Sequence, residues 1–176
     1  MTELRLFEET GLPVVRLRAG PRGGATVLAQ ALGVTLPDQP NTFTGDAVRS
    51  CAWTEPRAWL VLGAAGALPD GALPMAIEVS DRYASLRLQG ARAWEVLAAG
   101  TGLDPAALAP GRCAQTLFAE EIIVFVQRLL GAEPDYRVLV EAPLAAFLTG
   151  WLRTALAAAE PGAGSGTIEA HAPRRS

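Results

Sequence analysis

The segment Val15-Arg16-Leu17-Arg18-Ala19-Gly20 is followed later in the chain by a similar one, Leu86-Arg87-Leu88-Gln89-Gly90. Three further pairs of segments keep the same order. They are Val27-Leu28-Ala29 with Val96-Leu97-Ala98, Cys51-Ala52-Trp53-Thr54 with Cys113-Ala114-Gln115-Thr116, and Leu60-Val61-Leu62 with Ile122-Ile123-Val124. The first three pairs begin 71, 69 and 62 residues apart. Matches that keep one order along the chain indicate a duplicated unit and predict a pseudo-symmetric architecture.

Strand and helix patterns alternate within each unit. In the first unit they predict a strand over 13–18, a helix over 25–32, a loop over 36–46, a hairpin of 48–53 with 58–62, and a strand over 75–79. In the second unit they predict a strand over 84–88, a helix over 91–99, a hairpin of 113–118 with 122–128, a strand over 136–140, and a helix over 143–159. Because hairpins join neighbouring strands, we expect an α+β fold with antiparallel sheets and helices on one side.

The whole of residues 1–160 is expected to form one domain, built from pseudo-repeat units of about 13–80 and 82–159. In the first strand, Val15 and Leu17 fall on one face, and Arg16 and Arg18 on the other. Residues 161–176 are rich in Gly, Ala and polar residues, and this composition predicts a flexible tail.

The composition excludes several classes of chemistry. The 176 residues contain no lysine, and the single histidine, His171, lies in the predicted tail. A Schiff-base lysine, a phosphate-binding Walker lysine and a Ser-His or Cys-His couple within the domain are therefore excluded. Two cysteines 62 positions apart cannot complete a zinc site. The net charge of −3 with no basic stripe predicts that the chain does not bind nucleic acid.

The longest uncharged apolar stretches, 58–68 and 142–152, are shorter than the ~20 residues that cross a bilayer. The N-terminal residues 1–9 are acidic and lack the pattern of a signal peptide. We therefore expect a cytoplasmic protein without a membrane segment. Half of the residues are hydrophobic and the mean hydropathy is +0.23, which leaves two interpretations open: an alanine-rich core, or apolar surface reserved for a partner.

The candidate reactive side chains each have a structural alternative. Cys51 and Cys113 occupy matching places in the aligned repeat, but without a nearby activating base we expect two inert, buried thiols. The carboxylates of Glu78, Asp81 and Asp104 could act as a base on an amine substrate, or could satisfy backbone groups at strand ends and turns.

Two further features have simple structural interpretations. Residues 20–24 precede a helix but lack the residues of a phosphate-binding loop, so we expect a plain turn. The tryptophans at positions 53, 59, 94 and 151 could stack on a flavin or pterin, but their spacing favours core packing or a partner contact. Trp53 and Trp59 flank one hairpin and are the preferred interface residues.

The second half of the chain carries a set of motifs known from one protein family. They are Glu78-Val79-Ser80-Asp81-Arg82, Gly90, Trp94, Leu97, Gly102-Leu103-Asp104-Pro105, Pro110-Gly111-Arg112-Cys113-Ala114-Gln115-Thr116, Tyr136-Arg137-Val138-Leu139-Val140 and Leu148, Trp151 and Leu152. With Trp53, Pro56 and Trp59-Leu60-Val61, they span roughly residues 45–157. This pattern resembles the sarcosine oxidase gamma subunit. Glu78, Thr54-Glu55 and Glu141-Ala142-Pro143 depart from the family pattern.

The resemblance implies a non-catalytic structural subunit of a heterotetrameric flavoenzyme that demethylates sarcosine to glycine and passes the one-carbon unit to tetrahydrofolate. It implies a fold related to the folate-binding domain of aminomethyltransferases. FAD, FMN, NAD and tetrahydrofolate would be held by the alpha, beta and delta subunits, and this chain would supply no catalytic, cofactor-binding or metal-binding residue. Two alternatives stay open: a folate-binding aminomethyltransferase-like enzyme, and a gamma-like subunit of a related secondary-amine oxidase.

Overall fold

A computed structural model describes residues 3–20, 24–63, 68 and 75–159. Residues 21–23 of the predicted turn, most of the connection over 64–74 and the predicted tail over 161–176 lie outside these residues. The described chain forms two five-stranded antiparallel sheets and three α-helices. This architecture confirms the predicted α+β class.

The elements are numbered in chain order. The strands are β1 (Arg5–Glu8), β2 (Val14–Arg18), β3 (Phe43–Gly45), β4 (Ser50–Glu55), β5 (Ala58–Leu62), β6 (Ala76–Glu78), β7 (Tyr83–Gln89), β8 (Cys113–Phe118), β9 (Ile122–Arg128) and β10 (Asp135–Glu141). The helices are α1 (Gly24–Ala31), α2 (Ala93–Ala98) and α3 (Ala145–Ala159), with single 3₁₀ turns at Ser80–Arg82 and Ala142–Leu144.

The two sheets pack face to face and each carries helices on its outer side. Sheet I has the strand order β3-β4-β5-β2-β6, and sheet II has the order β1-β7-β10-β9-β8. Apolar side chains from both sheets, including Val14, Leu60, Leu62, Phe125 and Leu139, form the layer between them. Helix α1 covers the outer face of sheet I, and helices α2 and α3 cover that of sheet II. The chain is therefore a four-layer α-β-β-α stack.

The duplication predicted from the sequence is visible in the topology. The run β2-α1-β3-β4-β5 forms a sheet in the order 3-4-5-2, and β7-α2-β8-β9-β10 forms one in the order 8-9-10-7. The strand preceding each run is exchanged: β1 pairs with β7, and β6 pairs with β2. Each half thus supplies one edge strand to the sheet of the other half.

The pairing of Cys51 with Cys113 as repeat counterparts is wrong by one strand. The topological counterpart of β8 is β3, so Cys113 corresponds to Phe43, 70 positions earlier. Two reciprocal hydrogen bonds join these segments: Phe43 N–H donates to Gly111 O at 3.0 Å, and Cys113 N–H donates to Asn41 O at 2.9 Å. The pairing of residues 60–62 with 122–124 is wrong in the same way, because β5 corresponds to β10 and not to β9. The offset of 70 agrees with the 71 and 69 of the first two pairs, so the connection does not shorten.

Two strands, β1 and β3, were not predicted from the sequence. The loop expected over 36–46 contains β3, and the N-terminal segment, to which no element was assigned, contains β1. Both are short edge strands of three and four residues. A single neighbouring strand holds each of them, through β4 and β7, rather than any strong local preference.

The composition of helix α3 is explained by its start after a proline and by its packing on sheet II. Pro143 lies in the 3₁₀ turn that precedes it, where a missing N–H costs nothing. Leu148 and Leu152 are fully buried against sheet II. The stretch Ala142–Ala159 has a mean hydropathy of 1.2 and, by length and composition alone, is the candidate membrane span among the described residues. The helix packs an apolar face on sheet II, as a core helix of a folded domain does.

Candidate functional site: a cleft between the sheets

The layer between the two sheets opens into a cleft at one end. The cleft has a volume of about 480 Å³ and receives residues from β2, β4 and β5 of sheet I and from β8, β9 and β10 of sheet II. Its inner wall is apolar, because Leu60, Phe125 and Leu139 extend into it from the inter-sheet core. This size lies within the range of small-molecule sites.

Charged groups occupy the mouth of the cleft in pairs. Arg82 donates to Glu141 at 2.7 Å, and Arg18 donates to Glu55 at 3.0 Å. These four side chains are about half exposed, so each pair contributes little to stability. Arg16 lines the cleft from β2 and is half-buried. In the part of the chain that the structure describes, Arg16 has no ion-pair or side-chain hydrogen-bond partner.

A buried ionic network occupies the inter-sheet layer beyond the apolar core. Arg137 on β10 is 1% exposed and donates to both carboxylate oxygens of Glu9, at 2.6 and 2.9 Å. Arg87 on β7 donates to Glu9 at 2.8 Å and makes a bidentate pair with Asp135 at 2.7 Å. Glu9 directly follows the exchanged strand β1, so the network holds that strand to sheet II.

The charge state of Glu9 follows from this network. Burial by itself raises the pKa of Glu9, but hydrogen bonds and charge attraction from Arg137, helped by Ser85 and Arg87, outweigh it and hold the pKa at about 2. The carboxylate is fully ionised at neutral pH. Because every oxygen already accepts hydrogen bonds from buried donors, Glu9 serves as a structural anion rather than as a base.

The two thiols are buried and chemically silent. Burial raises the pKa of Cys51 to about 12, with a small contribution from the neighbouring Cys113, and burial raises the pKa of Cys113 to about 12. Neither forms a disulfide. The Cys113 thiol points at the carbonyl oxygens of Thr42 and Trp53, at 3.4 and 3.6 Å. Both cysteines stay protonated at neutral pH and are poor nucleophiles.

The three candidate carboxylates do not form one site. Glu78 on β6 accepts a hydrogen bond from Ser80 N–H at 2.9 Å, and hydrogen bonding by the side chain and the backbone of Ser80 lowers the pKa of Glu78. Asp104 caps the turn after α2, accepting from Ala106 N–H at 3.0 Å, on the helix-covered face of sheet II near Tyr136. Asp81 lies in the 3₁₀ turn before β7. Glu78 and Asp104 have the capping roles that were the structural alternative.

Trp53 and Trp59 face each other across the β4-β5 hairpin and share the α1 side of sheet I. Both are partly buried, and Trp59 packs against the core under α1. The Trp59 Nε1–H is buried and finds no acceptor among the described residues. The cleft lies on the opposite face of the sheet, so this pair and the cleft are separate surfaces. The role of Trp53 and Trp59 as interface residues stays a prediction.

The other two tryptophans lie on the helices of sheet II. Trp151 makes an edge-to-face contact with the buried ring of Phe118, with centroids 4.7 Å apart, and Trp94 on α2 is 37% exposed. Trp151 and Phe147 line a shallow apolar groove beside α2. Trp151 therefore has the core-packing role expected for it. Among residues 3–20, 24–63, 68 and 75–159, no cluster of His, Cys, Asp and Glu has metal-binding geometry.

The structure also shows features that the sequence did not indicate. Arg16 was assigned only to the polar face of its strand, and Arg137 stood within a family motif without a role. A charged residue between apolar ones in a strand is ordinarily solvent-facing in an antiparallel sheet. Here the second sheet covers that face, and only the three-dimensional stacking shows it.

The fold is similar to that of a known oligomeric enzyme's chain. A chain of the heterotetrameric sarcosine oxidase from Corynebacterium sp. U-96, solved in complex with pyrrole 2-carboxylate, superposes with a TM-score of 0.78 and 28% sequence identity. The match covers 88% of this chain and 84% of that chain. No family model and no curated protein sequence matches. The fold of this chain is thus similar to that of a chain of a heterotetrameric oxidase, the class of enzyme that the sequence motifs resemble.

Proposed function

We propose that this chain is the gamma-type, non-catalytic subunit of a heterotetrameric sarcosine oxidase-type flavoenzyme. The observation that carries the proposal is the match to a chain of such an oxidase over most of both chains. If the two chains shared only one domain within otherwise unrelated proteins, the match would cover only part of one of the two chains. The motifs over residues 45–157 add the gamma assignment, because they resemble that family.

The chemistry of the described side chains supports a structural role. Both thiols have a pKa of about 12, and the most perturbed carboxylate, Glu9, is committed to two buried arginines. Glu78 and Asp104 hold backbone groups. The pKa values of both thiols are raised and those of Glu9 and Glu78 are lowered, in each case away from the neutral range that suits proton transfer to or from an amine substrate.

In the proposed assembly, the alpha, beta and delta subunits hold FAD, FMN, NAD and tetrahydrofolate, and the complex is cytoplasmic. This chain supplies a rigid, doubled scaffold. Its proposed docking face includes Trp53 and Trp59, which present partly exposed indoles at the end of a hairpin. Aromatic anchors of this kind are enriched where protein interfaces bury most of their binding energy.

Turnover assays test the non-catalytic assignment. The purified chain and the complex co-purified from the host are each given sarcosine, with hydrogen peroxide and formaldehyde measured as products. We expect turnover by the complex and none by the chain alone. Sarcosine oxidation by the chain alone would refute the structural role.

The same samples separate the alternatives. Titration with tetrahydrofolate, followed by calorimetry, should give no saturable heat with the chain alone. Saturable binding would instead favour the folate-binding aminomethyltransferase-like enzyme. Turnover of dimethylglycine or a proline derivative by the complex, with sarcosine inert, would identify a related secondary-amine oxidase and would correct the substrate.

A further inference from the structure

The cleft between the sheets contains a cation without a counter-charge. Arg16 lies on the inter-sheet face of β2, between the buried Val14 and the exposed Arg18. Arg18 and Arg82, which also stand at this end of the layer, are each paired with a glutamate. Arg16 alone of these three has no carboxylate partner within the described part of the chain. Its guanidinium keeps all five donors available for something that enters the cleft.

The surroundings of Arg16 select the chemistry of that occupant. Leu60, Phe125 and Leu139 provide apolar walls, and they are 5%, 7% and 1% exposed. A guanidinium beside an apolar wall matches a molecule with one planar anionic group and a compact apolar body. Planar carboxylates accept two parallel hydrogen bonds from the guanidinium fork, which a spherical anion cannot do as well.

The mouth of the cleft limits the charge of the occupant. Glu55, Glu121 and Glu141 line it, and Glu55 is paired with Arg18 and Glu141 with Arg82. Glu121 has no ion-pair partner among the described residues, so the mouth carries one negative charge in excess and disfavours a ligand with several negative charges, such as a nucleotide or a citrate-like molecule. Gln115 and Tyr83 add neutral polar groups at the same rim. These features favour a single carboxylate directed inward and an apolar or weakly cationic end directed outward.

We propose that the inter-sheet cleft is a binding site for a small organic monocarboxylate with a compact apolar body, whose carboxylate pairs with Arg16. The site is distinct from the surface of Trp53 and Trp59, because the two lie on opposite faces of sheet I. The proposal does not depend on the oxidase assignment. It requires only the full chain, folded with its two sheets in place.

Calorimetric titration of the full chain with benzoate tests the proposal, with benzamide as the neutral molecule of the same shape. We expect saturable benzoate binding and at least about tenfold weaker binding of benzamide, as the loss of one charge-assisted bidentate contact requires. The variant Arg16→Gln should weaken benzoate binding by about tenfold or more. The variant Arg5→Gln, which changes an exposed strand arginine outside the cleft, should leave it unchanged.

A second measurement needs no variant. In methyl-labelled wild-type chain, benzoate should shift the NMR signals of Leu60 and Leu139, and leave those of Leu148 and Leu152 of α3 unchanged. Equal affinities for benzoate and benzamide, an absence of binding, or shifts confined to the α3 methyls would each overturn the proposal. Tighter binding of benzene-1,3,5-tricarboxylate than of benzoate would overturn the single-charge requirement.

Discussion

The substitution Glu9→Gln should strongly destabilise the protein, because Glu9 is the counter-ion of a buried arginine. Glu9 receives hydrogen bonds from Arg137 at 2.6 and 2.9 Å, from Arg87 at 2.8 Å and from Ser85 at 2.7 Å. Its side chain is 15% exposed, and that of Arg137 is 1% exposed. The amide keeps the shape but removes the charge, so the Arg137 guanidinium stays buried without its counter-ion.

The size of the effect follows from two routes. Removing one partner of a buried ion pair costs about 3–5 kcal/mol, because the other charge is left uncompensated. The pKa of Glu9 falls from 4.5 to about 2 on folding, which corresponds to roughly 3 kcal/mol of stabilisation at neutral pH. We therefore expect Glu9→Gln to lower the free energy of unfolding by about 3 kcal/mol at pH 7.

Because the pKa of Glu9 differs between the folded and unfolded states, the free energy of unfolding should depend on pH. The folded pKa of Glu9 lies below its unfolded value of 4.5, so the stabilisation is fully present above that value and is lost as the pH falls toward 2. The wild type should lose stability over this window, and Glu9→Gln should lose less. The gap between the two proteins should therefore close as the pH falls.

Urea denaturation followed by circular dichroism measures both effects. The matched control is Glu8→Gln, since Glu8 is the exposed neighbour on β1, and it should change stability by less than about 0.5 kcal/mol. Adding Arg137→Met to Glu9→Gln should recover part of the loss, because no uncompensated charge then remains. A cost below about 1 kcal/mol for Glu9→Gln, or a gap that is independent of pH, would refute the reasoning.

Three further outcomes follow from the structure. Glu120→Gly should stabilise the protein by about 1 kcal/mol in thermal unfolding, because Glu120 has a φ of 60° in the β8-β9 turn, where glycine carries no steric penalty. Destabilisation would show that the Glu120 side chain has a compensating role. Cys51 and Cys113 should resist iodoacetamide at pH 8 in the folded chain and react fully in urea, as measured by mass spectrometry. Labelling of the folded chain would contradict the pKa of about 12 for these thiols. Phe118→Ala should cost about 3–5 kcal/mol in urea denaturation, since the ring is fully buried, whereas Leu117→Ala on the exposed face should cost under about 1 kcal/mol.

The sequence was sufficient for elements that have a strong local pattern. Alternation of apolar residues predicted β2 and β7, and the hairpins β4-β5 and β8-β9 were placed to within a few residues. Helix α3 followed from its stripe of Leu148 and Leu152. These elements form where hydrophobic periodicity and turn residues agree, so they could be found without tertiary information.

The remaining elements depend on partners distant in sequence. Strand β3 is three residues long and lies in a proline-containing loop, and β1 pairs with a strand more than 70 residues away. The repeat register went wrong for the same reason: the shared Cys-Ala dipeptides at positions 51 and 113 suggested equivalence, whereas hydrogen bonds around Phe43 and Gly111 define it. Short matches of small residues carry less information than strand order.

The candidate site was the least accessible feature. Nothing local distinguishes Arg16, which lines a covered cleft, from Arg18, which is exposed at the next position on the same face of the strand. The difference arises only because the second sheet packs over Arg16. The inert thiols, in contrast, could be predicted, because the surrounding sequence offers no His or Lys to lower a thiol pKa.

Native mass spectrometry of the affinity-tagged full chain, purified from its own host, tests the central proposal most directly. The account predicts an assembly in which this 18.4 kDa chain is held together with three partner subunits and bound flavin, each identified by its mass. Recovery of the chain as a folded, flavin-free species without oxidase partners, under conditions that keep those partners intact, would contradict it.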